Sequence, residues 1–139
     1  MFLSNEHIHN FCEAVGLIPD AIADKDTRRL SSYYGASLFL LTGLNSWPML
    51  RRFCAGYIDI DGMLNKLPLS SGEALVVRLA GNLYNGGFWT GTPLNLVSDL
   101  DRKMSQLCID ALLLRRARAY YDSERGIRIS VSYTHLTLP

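Results

Sequence analysis

Apolar side chains recur along this chain at spacings of three and four residues, the signature of helices with one buried face. Ile8, Phe11, Cys12 and Val15 mark a first helix over about 5–15, with Ser4 to cap it and Gly16 to end it. Leu30, Tyr34, Ser37, Leu38 and Leu41 mark a second, starting at Asp24 or Asp26 and running to about Leu41. Leu50, Phe53, Cys54 and Tyr57 repeat at i, i+3, i+4 and i+7. They predict a third helix, opened by Ser46 and Pro48 and stopped by Gly56 and the 59–62 run. Leu75, Val76, Leu79, Ala80 and Leu83 predict a fourth over about 71–84. Met104, Leu107, Cys108, Ala111 and Leu114 predict a last one over about 102–122, capped by Asp101, with a short helical turn before it at 94–100. Strands are not expected, since the one alternating run is Ile127 to Val131, at the edge of a foreign-looking tail. The expected fold class is all-α: a compact bundle of about five helices with mixed crossing angles, in a single domain over 1–130.

The stretch Leu69 to Gly87 carries the clearest punctuation. Ser70 and Glu73 form an S-x-x-E capping box, and Asn85, Gly86 and Gly87 suit a left-handed C-cap. Its polar residues Arg78, Asn82 and Asn85 fall on one arc. Such a stripe reads as a solvated face or as a recognition surface, since a guanidinium and two amides can match a carboxylate or a peptide backbone. Trp89 comes next on a glycine-rich loop and is either a core plug or a contact residue of the same surface.

Composition narrows the class. With 48% hydrophobic and 19% charged residues, the chain is globular rather than disordered. A net charge of +1 gives no global electrostatic case for nucleic acid or for acidic lipid. Cys12, Cys54 and Cys108 are odd in number, far apart and inside apolar patterns, as expected of reduced thiols in a cytoplasmic protein. Residues 1–15 lack the basic start of a secretory leader, and no apolar run approaches the ~18 residues of a membrane span. The last nine residues, VSYTHLTLP at 131–139, resemble a translated sequencing-library adapter in all nine positions. They are expected to be non-native, which leaves the true C-terminus open, and they hint at an environmental sequence assembly.

Candidate chemistry is sparse. His9, Cys12 and Glu13 can share a helix face, but zinc wants a fourth ligand and no second half appears downstream. Asp59, Asp61 and Asn65 hint at a calcium loop, yet the sixth and twelfth positions from Asp59 are Leu64 and Ser70 instead of glycine and glutamate. Neither a metal nor a cofactor is expected. No nucleophile elbow or serine–histidine pair stands out, so the chain is read as a non-enzyme. Arg28 and Arg29 fall in the first turn of the second predicted helix, the unfavourable end for cations, which hints at a partner elsewhere. Arg115 and Arg118 extend the apolar stripe of the last helix. Either they meet a carboxylate such as Asp59, Asp61 or Glu73, or Arg115, Arg116 and Arg118 form an anion or nucleic-acid patch.

Thr27-Arg28, Ser70-Ser71-Gly72-Glu73, Arg78-Leu79-Ala80, Asn82-Leu83-Tyr84-Asn85-Gly86, Leu100-Asp101, Ala111 and Arg115 together make a further pattern. Over about 1–118 it resembles a small uncharacterised helical family of Gram-positive bacteria, carried on phages and other mobile elements. The Gly86–Gly91 loop and the arginine-rich segment past Arg115 depart from it. The resemblance implies a helical fold and a genomic context, and no chemistry. The expected role is therefore a protein-interaction or accessory one, with Arg78, Asn82, Asn85 and Trp89 as the contact surface for a protein partner. The alternative is nucleic-acid binding through Arg115 to Arg128, and no membrane association is expected.

Overall fold

The computed structural model describes residues 1–89 and 91–129. The chain opens with helix α1 (Asn5–Leu17), where the Ser4 hydroxyl accepts from the His7 N–H at 3.1 Å. A single 3-10 turn, Pro19–Ala21, leads into strands β1 (Ile22–Asp24) and β2 (Arg29–Leu30). Helix α2 (Ser32–Thr42) comes next, then the short α3 (Trp47–Leu50) running into a 3-10 turn at Arg51–Phe53. Helices α4 (Ile60–Lys66), α5 (Ser71–Asn85), α6 (Pro93–Ser98) and α7 (Arg102–Arg116) continue the chain. Strands β3 (Ala119–Asp122) and β4 (Gly126–Ile129) close the described residues.

The all-α expectation is therefore wrong. Among the described residues there are seven α-helices and a four-stranded antiparallel sheet in the order β1-β2-β3-β4, a mixed α/β fold rather than a helical bundle. Two local conflicts explain the difference. Asp24 does not cap a helix. Its Oδ1 accepts from the N–H groups of Asp26 and Thr27, and Arg28 takes φ 64°, so this stretch folds back as a hairpin turn. Ser31, seven residues later, is the cap that starts α2, its hydroxyl accepting from Tyr34 N–H. At the other end α7 stops at Arg116, because Ala117 turns extended with ψ 155°. Asp122 Oδ1 then accepts from Glu124 and Arg125 N–H, and Gly126 at φ 82° completes a second hairpin. The hairpins join through Arg29 opposite Tyr120, with Tyr121 N–H donating to Arg28 carbonyl at 2.8 Å.

The helix buried on all sides is α2, from Tyr34 through Thr42. Beyond Tyr33 it has no polar stripe to offer to water, so it packs against α1, α5 and α7 at once. Its buried serine and threonine hydroxyls are satisfied: Ser37 donates to Ala80 carbonyl at 2.9 Å and Thr42 to Leu38 carbonyl at 2.6 Å. Helix α5 does show the expected capping box, with Ser70 and Glu73 bonded reciprocally, and a left-handed Gly86 at φ 82°. It buries one side only. The third predicted helix is cut short instead. It is α-helical only to Leu50 and 3-10 to Phe53, Cys54 turns extended at φ −119° and ψ 94° and bridges to Ile58, and Tyr57 is left 58% exposed rather than buried. Asp59 caps α4 through Gly62 N–H, so the 59–62 run starts a helix where an ending was expected.

Candidate functional site

Helix α7 has more apolar surface than one face can bury. Leu112, Leu113 and Leu114 are consecutive, and at 100° per residue they span about 200° of arc. Leu107, Cys108, Ala111 and Leu114 turn inward and are buried. Ile109, Leu112 and Leu113 are left on the outer face, 40, 43 and 60% exposed. Helix α6, tied to α7 by the Ser105 hydroxyl donating to Leu96 carbonyl, adds exposed Leu94 and Val97. The outer face of α7 is bounded by Arg102 and Lys103 at its start and by Arg116 at its end, all exposed.

The arginine segment is split in direction. Arg115 is half-buried; its Nε donates to Leu83 carbonyl at 3.0 Å and its Nη1 to the Ser32 hydroxyl at 3.1 Å. It thereby ties the end of α5 to the first turn of α2. The expected carboxylate partners are committed elsewhere: Asp59 caps α4, Glu73 sits in the capping box, and Asp61 is exposed. Among the described residues the sole ion pair is Arg51 with Glu13, at 3.3 Å. Arg116 and Arg118 instead line a cleft of about 690 Å³ at the N-terminus of α2, together with Arg29 from β2. Ser31, Ser32, Tyr33 and Tyr34 form its floor, and Asp20 is its single carboxylate.

Beside the cleft, Tyr33 and Tyr84 each pack against Tyr34, with ring centroids 5.0 and 5.1 Å away. Burial and the Tyr84 hydroxyl, 3.4 Å from that of Tyr34, push the Tyr34 phenol far above its ordinary range. Tyr33 stays 42% exposed at the cleft. The sheet register continues the basic surface: Arg29 lies opposite Tyr120, and Tyr120 opposite Arg128, whose guanidinium stands over the tyrosine ring at 4.6 Å.

The residues proposed from sequence as a protein-contact surface are less open. Arg78 and Asn82 are half-buried on α5 and Asn85 is exposed, its Oδ1 accepting from Gly87 N–H at 2.9 Å. Trp89 is partly buried and packed against the core, with its ring under Gly91. The possible metal face at the N-terminus is dispersed. Cys12 points to Ser123 carbonyl, while Glu13 accepts from Trp47 Nε1 at 2.8 Å and pairs with Arg51. Sequence reasoning missed the outer face of α7 and the part of Arg29 in the cleft. The three consecutive leucines were a signal for the first. For the second, the only signal was a cation placed in the first turn of a predicted helix. Comparison of the chain with family models, with curated proteins and with solved structures finds no match.

Proposed function

We propose that this protein is a non-enzymatic accessory protein that binds another protein through the outer face of α7. The observation that carries the reading is the exposed stripe Ile109, Leu112 and Leu113. Clustered apolar residues at a helix surface mark an interaction site far more often than isolated ones do. The exposed α6 residues Leu94 and Val97 widen the apolar area on the neighbouring helix. The C-terminal end of α7 is basic through Arg115 and Arg116, whereas at its start the exposed Asp99 and Asp101 balance Arg102 and Lys103, so parallel pairing of this face with itself brings cations together. The chemistry favours a partner's amphipathic segment with an apolar centre and acidic residues opposite the Arg116 end. A cytoplasmic setting in a bacterium or its mobile elements is part of the proposal. It is supported by the three free cysteines and by the resemblance of the central stretch. No helix among the described residues is long and apolar enough to cross a membrane.

The test is partner capture with the full chain and with Leu113→Glu. The exposed position predicts that the variant folds within about 0.5 kcal/mol of the parent. Capture that survives a rise from about 50 to 200 mM salt and disappears in the variant supports the reading, because apolar contacts are far less salt-sensitive than phosphate contacts. Capture that is unchanged in Leu113→Glu refutes it. Concentration-dependent self-association abolished by Leu113→Glu would make the partner a second copy and refute the acidic-segment assignment. For the nucleic-acid alternative through Arg115 to Arg128, Arg115 turns inward while Arg116, Arg118 and Arg128 stay exposed; the same salt series tells the two apart.

A further inference from the structure

We propose that the cleft between the start of α2 and the α7–β3 junction is a nucleotide-phosphate site, holding the phosphate between Arg29, Arg116 and Arg118 and the first turn of α2. Its volume, about 690 Å³, is in the range of small-ligand pockets. Three guanidinium groups line it against the single carboxylate of Asp20. None of the three is in an ion pair among the described residues.

Several donors converge there. Ser31 caps α2 by accepting from Tyr34 N–H, and Gly35 N–H donates to Ser31 carbonyl, which leaves the Ser32 and Tyr33 N–H groups for a ligand. There is no acidic residue in the first turn of α2 to offset the positive end of the helix. The Ser32 hydroxyl accepts from Arg115, so its own proton is free to be donated into the cleft. Arg115 adds a half-buried positive charge whose bonds go to neutral oxygens only. Five side chains and two backbone N–H groups therefore favour an anion with several acceptor oxygens.

A phosphate ester fits that demand better than a lone carboxylate, and the aromatic edge of the cleft identifies its other half. Tyr33 is exposed beside the arginines and can stack on a base, and the Arg29–Tyr120–Arg128 row carries the same chemistry onto the sheet. The site can take this unit as a free nucleotide or as one nucleotide of a single strand. It shares Arg116 with the basic end of the outer face of α7, but Arg29 and Arg118 lie outside that face, so variants at those two positions test it independently of the proposed protein contact.

The experiment is calorimetric titration of the full chain with adenosine monophosphate, inorganic phosphate, adenosine and a short single-stranded oligonucleotide, at about 50 and 200 mM salt. Adenosine monophosphate is expected to bind more tightly than phosphate, and adenosine not to bind. Arg29→Gln and Arg118→Gln, both at exposed positions, should each weaken binding roughly tenfold while leaving the circular dichroism spectrum unchanged. Asp20→Asn should tighten it severalfold by removing the one like charge. An oligonucleotide that binds much more tightly than the mononucleotide, with the same arginine dependence, identifies the single strand as the source of the nucleotide. Adenosine binding as well as its monophosphate, no binding by any phosphate-bearing probe at low salt, or wild-type affinity in both arginine variants overturns the proposal.

Discussion

His7 makes the fold sensitive to acid in a window where few other groups titrate. It is 2% exposed, on α1, with its ring between Phe2 and Phe39 at centroid distances of 4.7 and 4.9 Å. Both ring nitrogens are engaged. Nδ1 accepts from Leu3 N–H at 3.1 Å, which leaves Nε2 as the proton-bearing atom donating to Phe39 carbonyl at 2.8 Å. The imidazole is therefore held neutral. Burial lowers its pKa to about 4, with the Phe39 carbonyl opposing and the nearby N-terminal ammonium adding to the shift. Because the folded value lies below the unfolded one of 6.5, the unfolded chain binds more protons between them. Stability is thus complete above about pH 6.5 and is lost as the pH falls toward 4. The full linkage is about 3 kcal/mol, of which about 2 kcal/mol is gone at pH 5. A loss of 2 kcal/mol lowers Tm by roughly 6–8 °C in a domain of this size. Urea denaturation at pH 7 and pH 5 measures the loss directly. Aspartates and glutamates mostly titrate below pH 5, so His7→Gln, which has no titrating ring, should be less stable at pH 7 but nearly flat between the two. If the parent loses no more than His7→Gln over that interval, the buried neutral imidazole is not the source and the reasoning fails.

Four further outcomes are expected from other parts of the structure. In Gly81→Ala the new Cβ would stand 2.8 Å from Phe88 Cδ2 and 3.0 Å from Ile60 Cγ2. The crowding should outweigh the ~1 kcal/mol gain in helix propensity and give a net loss of about 1 kcal/mol in denaturant titration. Trp47→Phe keeps most of the buried ring but removes the bond to Glu13, and should cost about 1–2 kcal/mol on the same assay. Ser70→Ala removes the hydroxyl of the α5 capping box at an exposed position; a loss of about 1 kcal/mol is expected, read as a fall in Tm. Burial pushes the Cys54 and Cys108 thiols up to about 12, so a thiol reagent should label half-buried Cys12 first and reach the other two only on unfolding, as mass spectrometry of the labelled chain would show.

What could be read from the sequence divides along a physical line. Signals contained within one helical turn were legible: the Ser4 and Asp101 caps, the Ser70–Glu73 box and the left-handed Gly86 all stand where the residues put them. Three of the four strands were not legible, because β1, β2 and β3 are two to four residues long and too short to show an alternation; β4 alone overlaps the one alternating run, Ile127 to Val131. Their pairing also depends on contact between opposite ends of the chain, β2 against β3, which no local pattern encodes. Asp24 and Asp59 misled because one local motif serves two structures. Asp24, Asp59, Asp101 and Asp122 all bond to backbone N–H groups two or three residues on, yet two of them open helices and two close hairpin turns. The residues after the aspartate decide the outcome, and for Asp24 the deciding one was a left-handed Arg28. The candidate site inherits this limit. Arg116 and Arg118 could be singled out from their own segment, but Arg29 joins them only through the hidden sheet. Its one local trace was a cation in the first turn of a predicted helix, at the positive end. The structure removes Arg29 from the helix itself and keeps the conflict, since Ser31 caps α2 only two residues later. A charge held against the field of a helix terminus calls for an anion, and the cleft is where the fold leaves room for one.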